Sequence, residues 1–121
     1  MRKYTIVPLP TGVFEGITPL SRMCFGFIWD RYRVSCYNVS GGHDAWYDYD
    51  WDETFCVFSH RELSEQVGAS ERTIRRCLDE LRRAQLIETK RCEYQGACRF
   101  FIPEDVRAYM RPVGSVSQGE T

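Results

Sequence analysis

Basic side chains concentrate between residues 70 and 99 in a pattern suited to nucleic acid. Eight Lys or Arg residues lie in this stretch against five acidic ones, a local excess of three. Arginine can donate two parallel hydrogen bonds to guanine, and such a pair contributes about 1–3 kcal/mol of discrimination between bases. The candidates for contact with base edges are Ser70, Arg72, Thr73 and Arg76, and Arg75 belongs to the same cluster.

A second group of candidates follows further along the chain. Side chains on a β-hairpin wing would hold phosphates or enter the minor groove, which fixes the register of a protein on DNA without specifying sequence. These candidates are Lys90, Arg91, Gln95 and Arg99. We interpret Arg82 and Arg83 differently, as a solvated helix face that pairs with the neighbouring Asp79 and Glu80.

A helix-turn-helix pattern positions the first group. Ser59 and Glu62 have the spacing of a capping box, so a short helix begins there. Gly68 ends that helix, because glycine enters the left-handed region without strain from a Cβ atom. Ser70 then caps a second helix, which we expect to end near Ala84.

A strand and a hairpin position the second group. The stretch QLIETKRCEY alternates like a β-strand, Gln95-Gly96 supplies a turn, and CRFFI returns as the partner strand. The earlier stretch FCVFS predicts a short strand that can pair with this hairpin. Thr18-Pro19 opens another amphipathic helix, which we expect to end between Tyr32 and Val34.

Together these elements predict an α+β fold, a winged helix-turn-helix with a three-helix core and a β-hairpin wing, over residues 18–110. Residues 1–17 are expected to be extended, because their prolines and glycines prevent a long helix. The stretch EDVRAYM predicts one or two helical turns after the wing. Residues 111–121 are expected to form a disordered tail.

Residues 41–53 differ sharply in composition, and we call them the acid–aromatic segment. Their sequence, GGHDAWYDYDWDE, contains five acids, four large aromatic residues and no Lys or Arg. The alternation predicts an exposed strand with carboxylates on one face and rings on the other. The candidates for contact with a partner are Trp46, Tyr47, Asp48, Tyr49, Asp50, Trp51 and Asp52.

Several roles for this segment stay open. It could coordinate a divalent cation, although its spacing does not match an EF-hand. It could imitate DNA phosphates and engage a basic cleft on another protein, or supply an aromatic interface anchor. Alternatively, the rings pack on the first helix and the acids are solvated. Among the functional roles, binding of a partner ranks above binding of a metal.

Composition limits the remaining possibilities. The chain has 121 residues, which fits one domain, and 16 basic against 17 acidic residues, for a net charge of −1. DNA-binding domains are more often clearly basic. No apolar run is long enough for a membrane span, and the start MRKYTIVPLP lacks the apolar region of a secretory signal, so we expect a cytoplasmic protein. No catalytic or phosphate-binding motif is present, so we expect neither an enzyme nor a cofactor.

Six cysteines do not form a metal-binding pattern. No C-x-x-C pair occurs, and only two histidines are available, so we predict no metal site. Cys24, Cys56 and Cys77 fall on apolar faces of predicted elements, where a free thiol packs as a small apolar group. Cys92 and Cys98 flank the wing turn and could face each other, but in the cytoplasm we expect both to be reduced.

A resemblance to a known family connects these features. The stretch TPLSRMCFGFIWDRYRVSCYN, the acid–aromatic segment and FCVFSHRELSEQVGASERTIRRCLDELRRAQLIETKR together resemble the N-terminal domain of the replication initiator protein A family of plasmids of Gram-positive bacteria. Asp30-Arg31 matches a helix-ending pair of that family. Leu86, Ile87, Glu88, Lys90 and Arg91 match its stretch entering the wing. The resemblance covers roughly residues 4 to 102 and does not include the C-terminal domain of those initiators.

Two hypotheses of function follow. The first is a sequence-specific binder of double-stranded DNA from a plasmid or phage, acting as a homodimer in replication control or as a repressor. The alternative is a winged helix that binds protein and inhibits a host nucleic-acid enzyme, as an anti-CRISPR does, through the acid–aromatic segment. A metal-binding or redox role of the cysteines is a distant third.

Overall fold

The structure is a computed structural model, and it describes residues 6–91 and 97–111. Helix α1 spans Pro19–Ser40, helix α2 His60–Val67 and helix α3 Glu71–Arg83. These three helices pack on one another and form the predicted three-helix core. Two short 3-10 turns, Gly12–Phe14 and Asp44–Trp46, lie outside the helices.

The start of the helix-turn-helix follows its predicted capping. Ser59 Oγ accepts a 3.0 Å hydrogen bond from the backbone N–H of Glu62, and the Glu62 carboxylate accepts one of 3.1 Å from the backbone N–H of Ser59. Gly68 ends α2 with φ at 83°, in the left-handed region. Ser70 caps α3, so the turn between the two helices is held at both ends.

Helix α1 is longer than its sequence pattern predicts. It continues past the expected end between Tyr32 and Val34 to Ser40, and Gly41-Gly42 follows it. Its last turns contact the 3-10 turn Asp44–Trp46, and Ser35 is buried there. The predicted end is therefore wrong, because packing against the acid–aromatic segment stabilises turns that lack an amphipathic pattern.

Two antiparallel sheets complete the fold. Strands β1 (Tyr47–Asp48) and β2 (Glu53–Thr54) form a small hairpin. Strands β3 (Cys56–Ser59), β4 (Glu88–Arg91) and β5 (Ala97–Phe101) form a second sheet in the order β3-β5-β4. The pairing of FCVFS with the wing is thus confirmed. The predicted Gln95-Gly96 turn lies outside the described residues.

Opposite faces of the three-stranded sheet have different neighbours. Cys56, Phe58 and Phe100 are buried in the main core with α1 and α3. Cross-strand partners share a face, so the register places Val57, Arg99 and Lys90 together on the other, outer face. A short helix α4, Glu104–Met110, follows β5 where a helical turn or two is predicted.

The core also includes residues before α1. Phe14 is fully buried and packs edge-to-face on Phe25, with ring centroids 4.9 Å apart. Residues 6–17 are mostly non-helical, as expected, apart from the turn Gly12–Phe14. The expected tail lies outside the described residues from position 112 onward. No helix in the described ranges is both long and apolar enough to cross a membrane.

The cysteines pack as apolar residues. Cys24, Cys56 and Cys77 are buried, and all five cysteines of the described ranges are free thiols. Burial raises the pKa of the Cys56 thiol to about 12. Cys92 lies outside the described residues, so its placement relative to Cys98 stays a prediction. The packing interpretation holds for the three cysteines assigned to apolar faces.

Candidate nucleic-acid interface

Helix α3 presents three arginines on one solvent-facing side. Ile74, Cys77, Leu78 and Leu81 are buried on its opposite side, which fixes the rotation of the helix. The spacing i, i+3, i+4 then brings Arg72, Arg75 and Arg76 together. All three are exposed, and no acidic side chain of the described ranges forms an ion pair with them. Their guanidinium groups are therefore available to an anion.

The first turn of α3 uses its hydroxyl groups internally. Ser70 Oγ accepts a 3.1 Å hydrogen bond from the backbone N–H of Thr73 and lies 3.0 Å from Thr73 Oγ1. The sequence predicts that both residues contact bases. In the structure their hydroxyls hold the helix start, next to the arginine cluster.

The C-terminal half of α3 makes local and long-range contacts. Arg82 pairs with Asp79 at 2.6 Å, as interpreted from the sequence, and also donates to Thr89 Oγ1 at 3.3 Å. Glu80 does not form the expected pair with Arg83. Its carboxylate instead accepts hydrogen bonds from the backbone N–H and hydroxyl of Thr18, at 3.0 and 2.7 Å, and from Ser21. Glu80 bonds to Thr18 and Ser21 because α3 packs beside the start of α1.

Two of the side chains predicted to contact phosphates, Lys90 and Arg99, bind a carboxylate within the protein instead. Asp48 Oδ2 lies 2.7 Å from Lys90 Nζ and 2.7 Å from Arg99 Nη1. Lys90 and Arg99 are direct cross-strand partners on the outer face of the sheet. Arg91 is exposed instead. Gln95 lies outside the described residues.

The acid–aromatic segment is a hairpin that covers this outer face. The alternating exposed strand predicted for it is wrong, because the chain turns between β1 and β2 and Asp52 adopts a positive φ of 57°. Trp51 packs on Phe101 with ring centroids 4.4 Å apart, and Phe55 lies 6.0 Å from the same ring. The segment therefore forms a second layer over the wing sheet. We call its paired part, residues 47–54, the acid–aromatic hairpin.

Burial of Asp48 is the main surprise of the hairpin. Its side chain is only 1% exposed. The hydrogen bond from Lys90 holds the pKa of Asp48 well below its usual range, against the opposing effect of burial, and the backbone N–H of Trp51 and the side chain of Arg99 add to the lowering. The same hydrogen bond raises the pKa of Lys90. The carboxylate is therefore ionised at neutral pH inside the hairpin–wing contact.

Of the other residues predicted to contact a partner, some bind within the acid–aromatic segment and others are exposed to solvent. Tyr47 donates a hydrogen bond to Asp52, and Tyr49 donates one of 2.8 Å to Asp44. Tyr49 is nevertheless 70% exposed, and the Asp50 side chain is 88% exposed. Trp46 contacts the ring of Phe55. Across the described ranges, His, Cys, Asp and Glu side chains do not gather in threes around a possible metal position.

Asp48 is the residue of this surface whose position sequence reasoning missed. It was grouped with Asp50 and Asp52 because local alternation treats the three alike. One available signal was the charge balance, since a segment of acids without bases precedes a wing rich in bases. The sequence pattern within the segment does not indicate which acidic residue pairs with which basic residue of the wing.

Comparisons with known proteins agree with this architecture. No protein-family model and no curated protein sequence matches the chain. Among solved structures, it resembles one described as the N-terminal domain of a DNA-binding protein, with 16% identity, a TM-score of 0.59 and coverage of 98% of this chain and 86% of that one. A Rep–DNA complex matches with 16% identity, a TM-score of 0.59 and coverage of 98% and 87%.

A structure described as the MDR initiator matches with 13% identity, a TM-score of 0.57 and coverage of 98% of this chain and 89% of that one. At these identities the likeness is one of fold. It confirms the predicted winged helix-turn-helix. At the level of fold, it also confirms the resemblance to the N-terminal domain of initiator proteins.

Proposed function

We propose that this protein binds double-stranded DNA sequence-specifically through α3, in the replication control of a plasmid or phage or as a repressor. The observation that carries the proposal is the cluster of Arg72, Arg75 and Arg76, exposed and unpaired within the described ranges at the capped end of α3. In a helix-turn-helix, the N-terminal residues of the second helix contact base edges in the major groove.

Electrostatics support the same assignment. Opposite-charge pairs neutralise Arg82, Lys90 and Arg99 within the protein. The arginines left unpaired in the described ranges therefore include the cluster at the helix start, where a major groove would receive it. The solved structures of similar fold include a Rep–DNA complex, which adds support from fold alone.

Selection from a random duplex library, followed by fluorescence anisotropy on the enriched sequence, tests the proposal. We expect Arg72→Ala and Arg76→Ala each to weaken binding by about 5- to 150-fold, the equivalent of 1–3 kcal/mol for a base contact. Arg83→Ala is the matched control, because Arg83 is exposed at the far end of the same helix. Absence of binding at low salt would contradict the proposal.

The proposal extends to a pair of copies on a palindromic site. One helix and one wing contact only a half-site, and two-fold operators place half-sites about 34–36 Å apart. Sedimentation with a duplex carrying one or two half-sites should give one or two bound copies. The proposed role is that of a cytoplasmic binding protein without catalytic activity or cofactor.

A second candidate is inhibition of a host nucleic-acid enzyme through the acid–aromatic hairpin. The observation in its favour is the exposure of Tyr49 and Asp50 at the hairpin turn. Large aromatic residues are common interface anchors, and an acid beside one suits a basic cleft. A pull-down with purified guided nuclease should retain wild type and lose Tyr49→Ala. Equal retention of both would refute this candidate.

A further inference from the structure

We propose that Asp48 withholds two wing cations from DNA phosphates and so lowers the sequence-independent part of DNA affinity. This inference rests on the proposed function. It concerns Lys90 and Arg99, whose side chains both reach Asp48 Oδ2 at 2.7 Å on the outer face of the wing sheet. Without the hairpin, this cross-strand pair would be a doubly charged patch on the outer face of the wing sheet.

The local charges cancel. Asp50 approaches Lys90 at 3.4 Å, so two carboxylates face two cations in one contact. Lys90 also lies 5.4 Å from the ring centroid of Trp51, and Arg99 lies 4.3 Å from that of Phe55. The rings of Trp51 and Phe55 partly cover the cations, which leaves the Lys90 side chain 27% and the Arg99 side chain 35% exposed, and carboxylates neutralise them. A DNA phosphate would have to compete with a buried carboxylate for either one.

Withholding these contacts lowers affinity without changing which sequence is preferred. Contacts to phosphates strengthen binding to every sequence alike, whereas contacts to bases strengthen binding to the correct site. Removal of two phosphate contacts therefore weakens binding to every sequence by a similar factor and leaves discrimination to the α3 arginines.

The salt dependence of binding to a random-sequence duplex measures the number of phosphates engaged. Each contact contributes a slope of about −0.9 in log K against log salt. If Asp48→Asn frees Lys90 and Arg99, the slope should steepen by about 1.8 and affinity for the random duplex should rise on the order of tenfold at low salt. Affinity for the selected site should rise by a similar factor, because phosphates flank that site as well.

Two further variants sharpen the test. The triple variant Asp48→Asn, Lys90→Gln, Arg99→Gln should restore the wild-type slope, because the freed cations are gone. Asp52→Asn is the matched control, since it removes a carboxylate of the same hairpin that bonds to Tyr47 rather than to the wing cations. An unchanged slope in folded Asp48→Asn, or an equal change in Asp52→Asn, would overturn the inference.

A measurement on the wild-type protein covers the case in which Asp48→Asn does not fold. Arginine N–H resonances in NMR spectra, followed during addition of DNA, should shift for Arg72 and Arg76 and stay in place for Arg99. A shift of Arg99 as large as that of Arg76 would overturn the inference. Failure of wild type to bind any duplex would instead refute the proposed function, so the two failures are distinguishable.

Discussion

Asp48 and Lys90 are joined by a 2.7 Å ion pair although 42 residues separate them along the chain. The pair connects the acid–aromatic hairpin to the wing, and the Asp48 side chain is buried beneath it. Removing one partner of a buried charge pair leaves the other without compensation. Asp48 thus holds the hairpin to the wing together with the packing of Trp51 on Phe101.

The first prediction concerns acid stability. The folded-state pKa of Asp48 lies below its ordinary value of 3.8. A depressed carboxyl pKa contributes stability that is complete above the unfolded pKa and lost as the pH falls through the folded one. The melting temperature of wild type should therefore exceed that of Asp48→Asn by a constant amount near neutral pH, and the gap should narrow below 3.8.

Thermal unfolding followed by circular dichroism at roughly pH 3, 5 and 7 provides the measurement. Asp52→Asn serves as the control for general loss of a carboxylate. A gap that widens towards acid pH would be incompatible with an ionised, stabilising Asp48.

The limits of sequence reasoning lie in long-range contacts. The helix-turn-helix could be predicted from Ser59, Glu62 and Gly68, because helix capping and helix termination depend on residues only a few positions apart. The true end of helix α1 could not be predicted from its amphipathic pattern. Val34 and Tyr37 are apolar but 58% and 80% exposed, so the last turns of the helix lack the alternation of buried apolar and exposed polar positions. The folding of the hairpin onto the wing depends on cross-sheet packing, which alternation within one segment does not encode.

The second prediction separates capping from DNA contact at Ser70. Its hydroxyl satisfies the backbone N–H of Thr73, so Ser70→Ala should destabilise the domain by about 1 kcal/mol. Ser70→Asn should restore stability, because asparagine caps equally well. Urea unfolding gives the stability, and anisotropy on the selected duplex gives the affinity. If Ser70→Ala weakened binding as much as Arg72→Ala without loss of stability, a direct base contact would be indicated instead.

The third prediction concerns the link between α3 and α1. Burial alone would raise the pKa of Glu80, but hydrogen bonds from Ser21 and Thr18 outweigh it and lower the pKa. An amide nitrogen cannot accept these bonds, so Glu80→Gln should cost about 1–2 kcal/mol after allowance for partial exposure. Urea unfolding should show Asp79→Asn, the control on the exposed side, to change stability by less than about 0.5 kcal/mol. Equal losses would contradict a special role of Glu80.

The fourth prediction concerns thiol reactivity. Burial, with a smaller effect of the neighbouring Cys77, raises the pKa of Cys24 far above its usual range. The thiolate is the reactive form, so iodoacetamide at neutral pH should modify Cys24 and Cys56 at least about tenfold more slowly than the half-buried Cys98. Mass spectrometry of quenched samples measures the order, and urea should abolish the differences. Early modification of Cys24 would contradict its place in the core.

The fifth prediction concerns the end of α3. Gln85 adopts a positive φ of 61°, and the backbone N–H of Leu86 donates to the carbonyl of Leu81 at 2.9 Å, which together form a Schellman ending. A residue with a Cβ atom costs about 1–2 kcal/mol in the left-handed conformation, and glycine avoids this cost. Glycine in turn loses about 0.5–1 kcal/mol, because its unfolded chain has more conformational entropy. Gln85→Gly should therefore stabilise the domain by about 0.5 kcal/mol or slightly more. Gln85→Ala keeps the Cβ and should bring no gain, so equal midpoints of urea unfolding for the two variants would show that this turn stores no strain.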